Sequence, residues 1–185
     1  MLQIEATSLP DVKIVTPRKF GDERGFFSEV WNRDAMSEAG IEADFVQDNH
    51  AYSAAKGTIR GLHYQMDPKA QGKLVRVTRG TVLDVAVDIR RGSPTFGKYA
   101  AVTLSVDNWR QLWIPAGFAH GYCTLTDEVE FLYKVTERYS PEQERGIRWD
   151  DPDIAINWQI PPEQITVSDK DRILPYLAEQ PDLFD

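Results

Sequence analysis

Apolar and polar positions alternate in short runs along most of this chain. Val12–Thr16 (VKIVT) alternates as a short strand does. Pro17 follows, then FGDERGFF, punctuated by Gly21 and Gly25, and Phe26–Trp31 reads as a second strand. Asn32–Gly40 carries the one early helical signal: Asn32 or Asp34 can cap it, Ala35, Met36 and Glu38 favour it, and Gly40 can end it. From there the text is nearly all strand. Phe45–Ser53, Thr58–Gln65, Lys73–Thr78, Val82–Ile89, Tyr99–Val106, Arg110–Ile114, His120–Leu125 and Val129–Arg138 are rich in Val, Ile, Thr and aromatics, and Gly, Pro, Asn or Asp separates most of them. Many short strands at this spacing predict an all-β sandwich or barrel rather than alternating β-α units. From about residue 150 to 185 five prolines predict loops with one or two short helices.

Parity along the strands sorts side chains by face. In VEFLYKV, Val129, Phe131, Tyr133 and Val135 share one side, which places Tyr133 on the apolar face. In KLVRV, Lys73 opens a row otherwise made of Val75 and Val77, and Ile59, Gly61, His63 and Gln65 also align. A tyrosine, a lysine and a histidine each project from an inner face, and in a barrel such faces converge on one interior.

Composition narrows the function classes. The 185 residues suit one domain. No apolar run approaches the ~18 residues that span a bilayer, and no basic-then-apolar leader is visible at the N-terminus. A single cysteine, Cys123, excludes an internal disulfide framework and predicts a reducing, cytoplasmic setting. The net charge of −8 argues against a nucleic-acid binder, although a few arginines focused in a pocket can still receive a small anion.

Two of the three histidines lie in turn-flanked strand segments: His63 in GTIRGLHYQMDPKAQGK, between Arg60 and Lys73, and His120 in PAGFAHG. Histidine titrates where proton transfer near neutrality needs it. His63 reads either as a satisfied core histidine or as a base that takes a proton from a carbon acid; the neighbouring cations favour the base. His120 lies in P-x-G-x-x-H, a signature of the cupin barrel, where that histidine often binds a metal. The companion segment reads Gly61-Leu62-His63-Tyr64-Gln65, so the second histidine of the usual H-x-H pair is absent and Gln65 stands in its place. That ligand count favours a metal-free barrel. Tyr133 and Lys73, each unremarkable alone, would complete a set of base, acid and oxyanion-stabilising cation. In Ser168-Asp169-Lys170-Asp171, Ser168 caps a short helix, while Asp171 either completes that cap or braces His63. Asp84, inside the apolar run Val82–Ile89, is a rival partner, and spacing does not choose between them. Arg24 and Arg60 can each fork onto a phosphate. Gln47-Asp48-Asn49 places three polar side chains in a strand, where a sugar or nucleobase would satisfy them.

FGDERGFF, FVQDNH, RGLHYQ, QGKLVR, DVAVDIRRGSPTFG, QLWIPAGFAHG, EFLYK and SDKD, in that order, together resemble the dTDP-4-dehydrorhamnose 3,5-epimerase family, cofactor-free cupins. The resemblance implies a double-stranded β-helix, or cupin jelly-roll, spanning residues 1–185 as one domain. It implies His63 as general base with Asp171 as its partner, Tyr133 as general acid and Lys73 as the cation that steadies an enolate. It implies substrate contacts at Arg24, Glu29, Gln47, Asp48, Asn49, Arg60, His120, Glu144 and Lys170, and a stacking tyrosine at Tyr139. The substrate it implies is a thymidine-diphosphate 4-keto-6-deoxyhexose. It further implies a homodimer in which the N-terminal strand, within residues 1–17, lies at the interface; an exposed Val12–Thr16 could pair there. A relative inverting only one centre, a metal-dependent cupin and a non-catalytic binding module are the rival readings.

Overall fold

A computed structural model describes residues 2–185. The chain opens with β1 (Gln3–Ala6) and β2 (Lys13–Thr16), then a small hairpin of β3 (Phe20–Asp22) and β4 (Gly25–Phe27). Helix α1 (Arg33–Glu38) follows, with Asn32 as its cap: the Asn32 side chain accepts a hydrogen bond from the Ala35 amide at 3.1 Å. The barrel is built from β5 (Gln47–Ser53), β6 (Thr58–Gln65), β7 (Lys73–Arg79), β8 (Thr81–Asp88), β9 (Tyr99–Ser105), β10 (Gln111–Ile114), β11 (Phe118–Thr124) and β12 (Val129–Val135). The tail adds β13 (Glu144–Gly146), β14 (Thr166–Val167), α2 (Asp169–Arg172) and 3-10 turns at Pro162–Gln164 and Leu177–Glu179. Eight of the expected strand segments are thus present within a residue or two at each end.

Two six-stranded sheets face each other, in the orders β1-β2-β10-β7-β12-β5 and β13-β6-β11-β8-β9, the second completed by β14, which joins β6 in parallel. Between them lies the first apolar layer, with Val75, Val77, Ala86, Leu112, Phe118 and Phe131. A second apolar layer, including Leu62, Val85, Ala119, Ile147 and Trp158, lies where the tail covers the outer face of the second sheet. Burying each valine, leucine, isoleucine or phenylalanine here is worth about 1.5–3 kcal/mol, which makes these layers the rigid frame of the molecule. The arrangement is the expected double-stranded β-helix.

Three local expectations differ from the structure. Phe26–Trp31 is not a strand; only Gly25–Phe27 pairs, folding back on Phe20–Asp22. The turn Asp22–Gly25 explains the difference, because Asp22 accepts from the Arg24 amide at 2.9 Å and turns the chain early. Val12–Thr16 is not an exposed strand: β2 is hydrogen-bonded to β1 on one side and β10 on the other, and Val15 is fully buried. The open edge at that end of the sheet is β1, which polar patterning in MLQIEATS concealed. Finally, the expected row Ile59, Gly61, His63 and Gln65 breaks at Gly61. Ile59 packs with Leu62 and Tyr64 in the outer layer, while Arg60, His63 and Gln65 face the interior. Gly61 has φ +122°, and the pairing of β6 with β11 shifts register between His120 and Tyr122. An irregularity of this kind resets the two-residue period.

Candidate active site

The interior opens into a cavity of about 540 Å³ between the two sheets, at the end of β6 where β13 and α2 approach. Strand β6 turns Arg60 and His63 into it, β7 contributes its first residue Lys73, β11 His120 and β12 Tyr133, while β13 and α2 supply Glu144, Lys170 and Asp171. The four residues implied to carry the reaction therefore share one cavity.

Two histidine–carboxylate pairs face it. His63 Nε2 lies 2.6 Å from Asp171 Oδ1, and Asp171 Oδ2 accepts from the Gly61 amide at 3.2 Å. Burial works to raise Asp171, but the hydrogen bond from His63, the charge of that ring and the Gly61 amide outweigh it and hold the carboxyl below the usual range. An ionised carboxylate only accepts, so Nε2 carries the hydrogen of this bond. Ser168 caps α2 by accepting from the Asp171 amide at 3.1 Å, so both readings of the SDKD segment hold together. The second pair is deeper: His120 Nε2 sits 3.0 Å from both oxygens of fully buried Asp84. Burial raises Asp84, opposed by His120 and by Lys73. The two aspartates that spacing left as rivals each own a different histidine. The third histidine, His50, is exposed on β5 beside Glu130 at 3.2 Å.

Lys73 is 7% exposed, and among the described residues its ammonium has no hydrogen-bond or ion-pair partner. Burial lowers it to about 8, with Asp84 and Glu144 pulling the other way. Tyr133 is held above its ordinary value by burial, against the pull of Arg60. At the mouth, Glu144 Oε2 accepts from Tyr139 Oη at 2.8 Å and from Lys170 Nζ at 2.5 Å. Gln47 Nε2 donates to Asn49 Oδ1 at 2.8 Å and Gln47 Oε1 accepts from the Tyr139 amide at 3.2 Å, which puts this pair beside the rim.

The remaining substrate-contact candidates are elsewhere. Asp48 points to the opposite face of β5 and pairs with Lys134 at 2.9 Å, as strand alternation requires. Arg24 sits on the β3–β4 hairpin with its side chain 83% exposed and paired to Asp22, and Glu29 is exposed just beyond that hairpin; neither lines this cavity. Sequence reasoning did not name Tyr122 or Phe131 as site residues, yet both line the cavity, stacked on each other at 4.1 Å. The signal was available in parity, since Tyr122 is two residues from His120 and Phe131 two from Tyr133.

The donor set does not fit a cupin metal. Gln65, at the place of the second histidine, is bonded to backbone groups, and no group of three or more His, Cys, Asp or Glu at metal-holding spacing occurs among the described residues.

One cavity of this jelly-roll barrel thus holds a carboxylate-paired imidazole, a phenol and a buried ammonium. The family model described as dTDP-4-dehydrorhamnose 3,5-epimerase matches residues 6–179. The dTDP-4-dehydrorhamnose 3,5-epimerase of Shigella flexneri is 57% identical over 171 residues, covering 92% of this chain and 93% of that protein. The crystal structure of dTDP-6-deoxy-D-glucose-3,5-epimerase from Legionella pneumophila, in complex with dTDP-4-keto-L-rhamnose, superposes with a TM-score of 0.92 at 48% identity, covering 97% of this chain and 94% of that one. That of dTDP-4-dehydrorhamnose 3,5-epimerase from Bacillus anthracis, with TDP and PPi bound, gives 0.91 at 48% identity, with coverage of 95% and 99%. The chain belongs to the dTDP-4-dehydrorhamnose 3,5-epimerase family.

Proposed function

We propose that this enzyme inverts C3 and C5 of dTDP-4-dehydro-6-deoxy-D-glucose, giving dTDP-4-dehydro-L-rhamnose for dTDP-L-rhamnose synthesis. The observation that carries the mechanism is the buried, unpartnered ammonium of Lys73, set in one cavity with the His63–Asp171 pair and Tyr133. Asp84 and Glu144 act on this cation only through space, which leaves its donors for an oxygen of a ligand.

A 4-keto sugar has acidic hydrogens at C3 and C5, both beside the carbonyl. His63 Nδ1 removes one as a proton. The electron pair left on carbon moves into the carbonyl, and Lys73 donates to the resulting enolate oxygen. Tyr133 returns a proton to the opposite face of the same carbon as the ketone re-forms. Solvent then takes the proton from His63 and returns one to the Tyr133 phenolate, and the sequence repeats at the other centre. Each acid–base group contributes about 10²–10⁴-fold, and one oxyanion donor roughly 3–4 kcal/mol. The substrate's ketone is the electron sink, so the step balances without an oxidant or a metal. Asp171 positions His63 rather than touching the sugar. Arg60, Lys170 and Glu144 receive the polar groups near the mouth, His120 bounds the cavity on β11, and Tyr139, 54% exposed at the rim, offers a face to the thymine ring.

The substrate is a small nucleotide sugar, and the enzyme works as a homodimer in the cytoplasm. No helix among the described residues is long and apolar enough to cross a membrane, and Cys123 is a buried free thiol, as a reducing compartment allows. Edge strand β1 and the exposed Phe20, Phe26 and Phe27 of the hairpin support an N-terminal interface. Since Arg24, Glu29 and Asp48 do not reach the cavity of their own chain, substrate contact by them requires that second copy. Replacing His63 by Ala and Tyr133 by Phe tests the assignment: both variants should lose turnover of the 4-keto sugar by 10²-fold or more while folding normally. Normal turnover by either would refute its role.

A further inference from the structure

Gln65 ends β6 inside the barrel, 3% exposed, at the position where the cupin pattern would carry a second histidine. Its carboxamide is almost fully committed. Nε2 donates to the Lys69 carbonyl at 2.7 Å and to the Arg138 carbonyl at 3.1 Å, and Oε1 accepts from the Ser140 amide at 2.8 Å. Backbone carbonyls cannot donate, so these partners fix which end of the amide is which. Both donors are used, which leaves Gln65 little capacity for a ligand although it lines the cavity.

The three bonds tie together two loops. One is the connection from β6 to β7 that delivers Lys73. The other, residues 136–143, is gripped on either side of Tyr139. Tyr139 is also held by its own amide on Gln47 and its hydroxyl on Glu144, while its ring stays exposed. An aromatic platform on a loose loop would have to be ordered on binding; one bracketed beforehand is not penalised in this way.

We infer that Gln65 is a positioning residue for the nucleotide end of the substrate, bracketing residues 138–140 so that the Tyr139 ring is preset as a stacking face for a nucleobase. The inference rests on the reading of Tyr139 given above, and the test separates the two. Thymidine 5′-diphosphate is the probe, titrated calorimetrically into the full-length protein. Tyr139→Ala should weaken it about ten-fold. Gln65→Met should weaken it comparably and raise KM while kcat falls less than about three-fold. The double variant should bind no worse than Tyr139→Ala alone, because both act through one ring. If Tyr139→Ala binds normally, the stacking reading fails and takes the bracket with it. If Tyr139→Ala binds weakly but Gln65→Met does not, or if the two losses multiply, the bracket alone is overturned. Hydrogen exchange on the unsubstituted protein gives a reading independent of any variant's folding: the Ser140 amide should be protected as a β6 amide is, and exchange at the rate of a free loop would contradict the bracket.

Discussion

At Lys73, burial and charge oppose each other, and burial prevails, leaving the ammonium poised at about 8. The protonated form is the one that can donate to an enolate oxygen. As pH rises through that value the free enzyme loses the donor, so kcat/KM should fall on the alkaline side with a limb near 8, and Lys73→Met should abolish both the limb and most of the activity. A pH profile whose alkaline side stays flat to 10 would contradict this. Asp171→Asn keeps the shape of the site but removes the charge that fixes the His63 tautomer, so it should lower kcat by about 10²–10⁴-fold with a smaller change in KM. Legibility at this scale was uneven. Lys73 and Tyr133 could be read from parity because each projects from a regular strand, and His63 from its motif, since parity breaks at Gly61. The partnering of Asp171 with His63 and of Asp84 with His120 could not, since contacts of sequence separation 108 and 36 depend on how the tail and barrel close.

Among the elements, β6 matters most, because its irregularity at Gly61 is what turns His63 inward. A side chain at Gly61 would place Cβ 2.6 Å from the Gly121 α-carbon and 2.7 Å from the His120 carbonyl oxygen, at a φ of +122° that L residues rarely adopt. Gly61→Ala should therefore destabilise the fold by roughly 2–4 kcal/mol and, by shifting His63 against His120, lower activity further; denaturant melts and turnover assays on the same preparation check both. A variant as stable as the parent would refute the packing argument. Strand positions were legible here because alternation survives wherever both faces are distinct. Alternation failed at Gly61, where the register shift is a property of two strands together, and at Phe26–Trp31, where the Asp22–Arg24 turn overrides a run of apolar residues.

For the whole molecule, the open edge at β1 and the exposed phenylalanines of the hairpin predict self-association. Light scattering should give twice the 21.1 kDa chain mass, and removing residues 2–6 should shift the population toward monomer. A parent chain that runs as monomer at micromolar concentration would exclude the dimer and with it any substrate contact by Arg24 or Glu29. Chelator treatment should leave turnover unchanged, as expected where no three metal-ligating side chains come together among the described residues. The central claim is that the His63–Asp171 pair exchanges hydrogen on carbon at both positions flanking one ketone. Turnover of the 4-keto nucleotide sugar in D₂O, followed by mass spectrometry and proton NMR, measures this directly. Solvent deuterium is expected at both C3 and C5 of the product; deuterium at one carbon alone, or at neither, would contradict that claim.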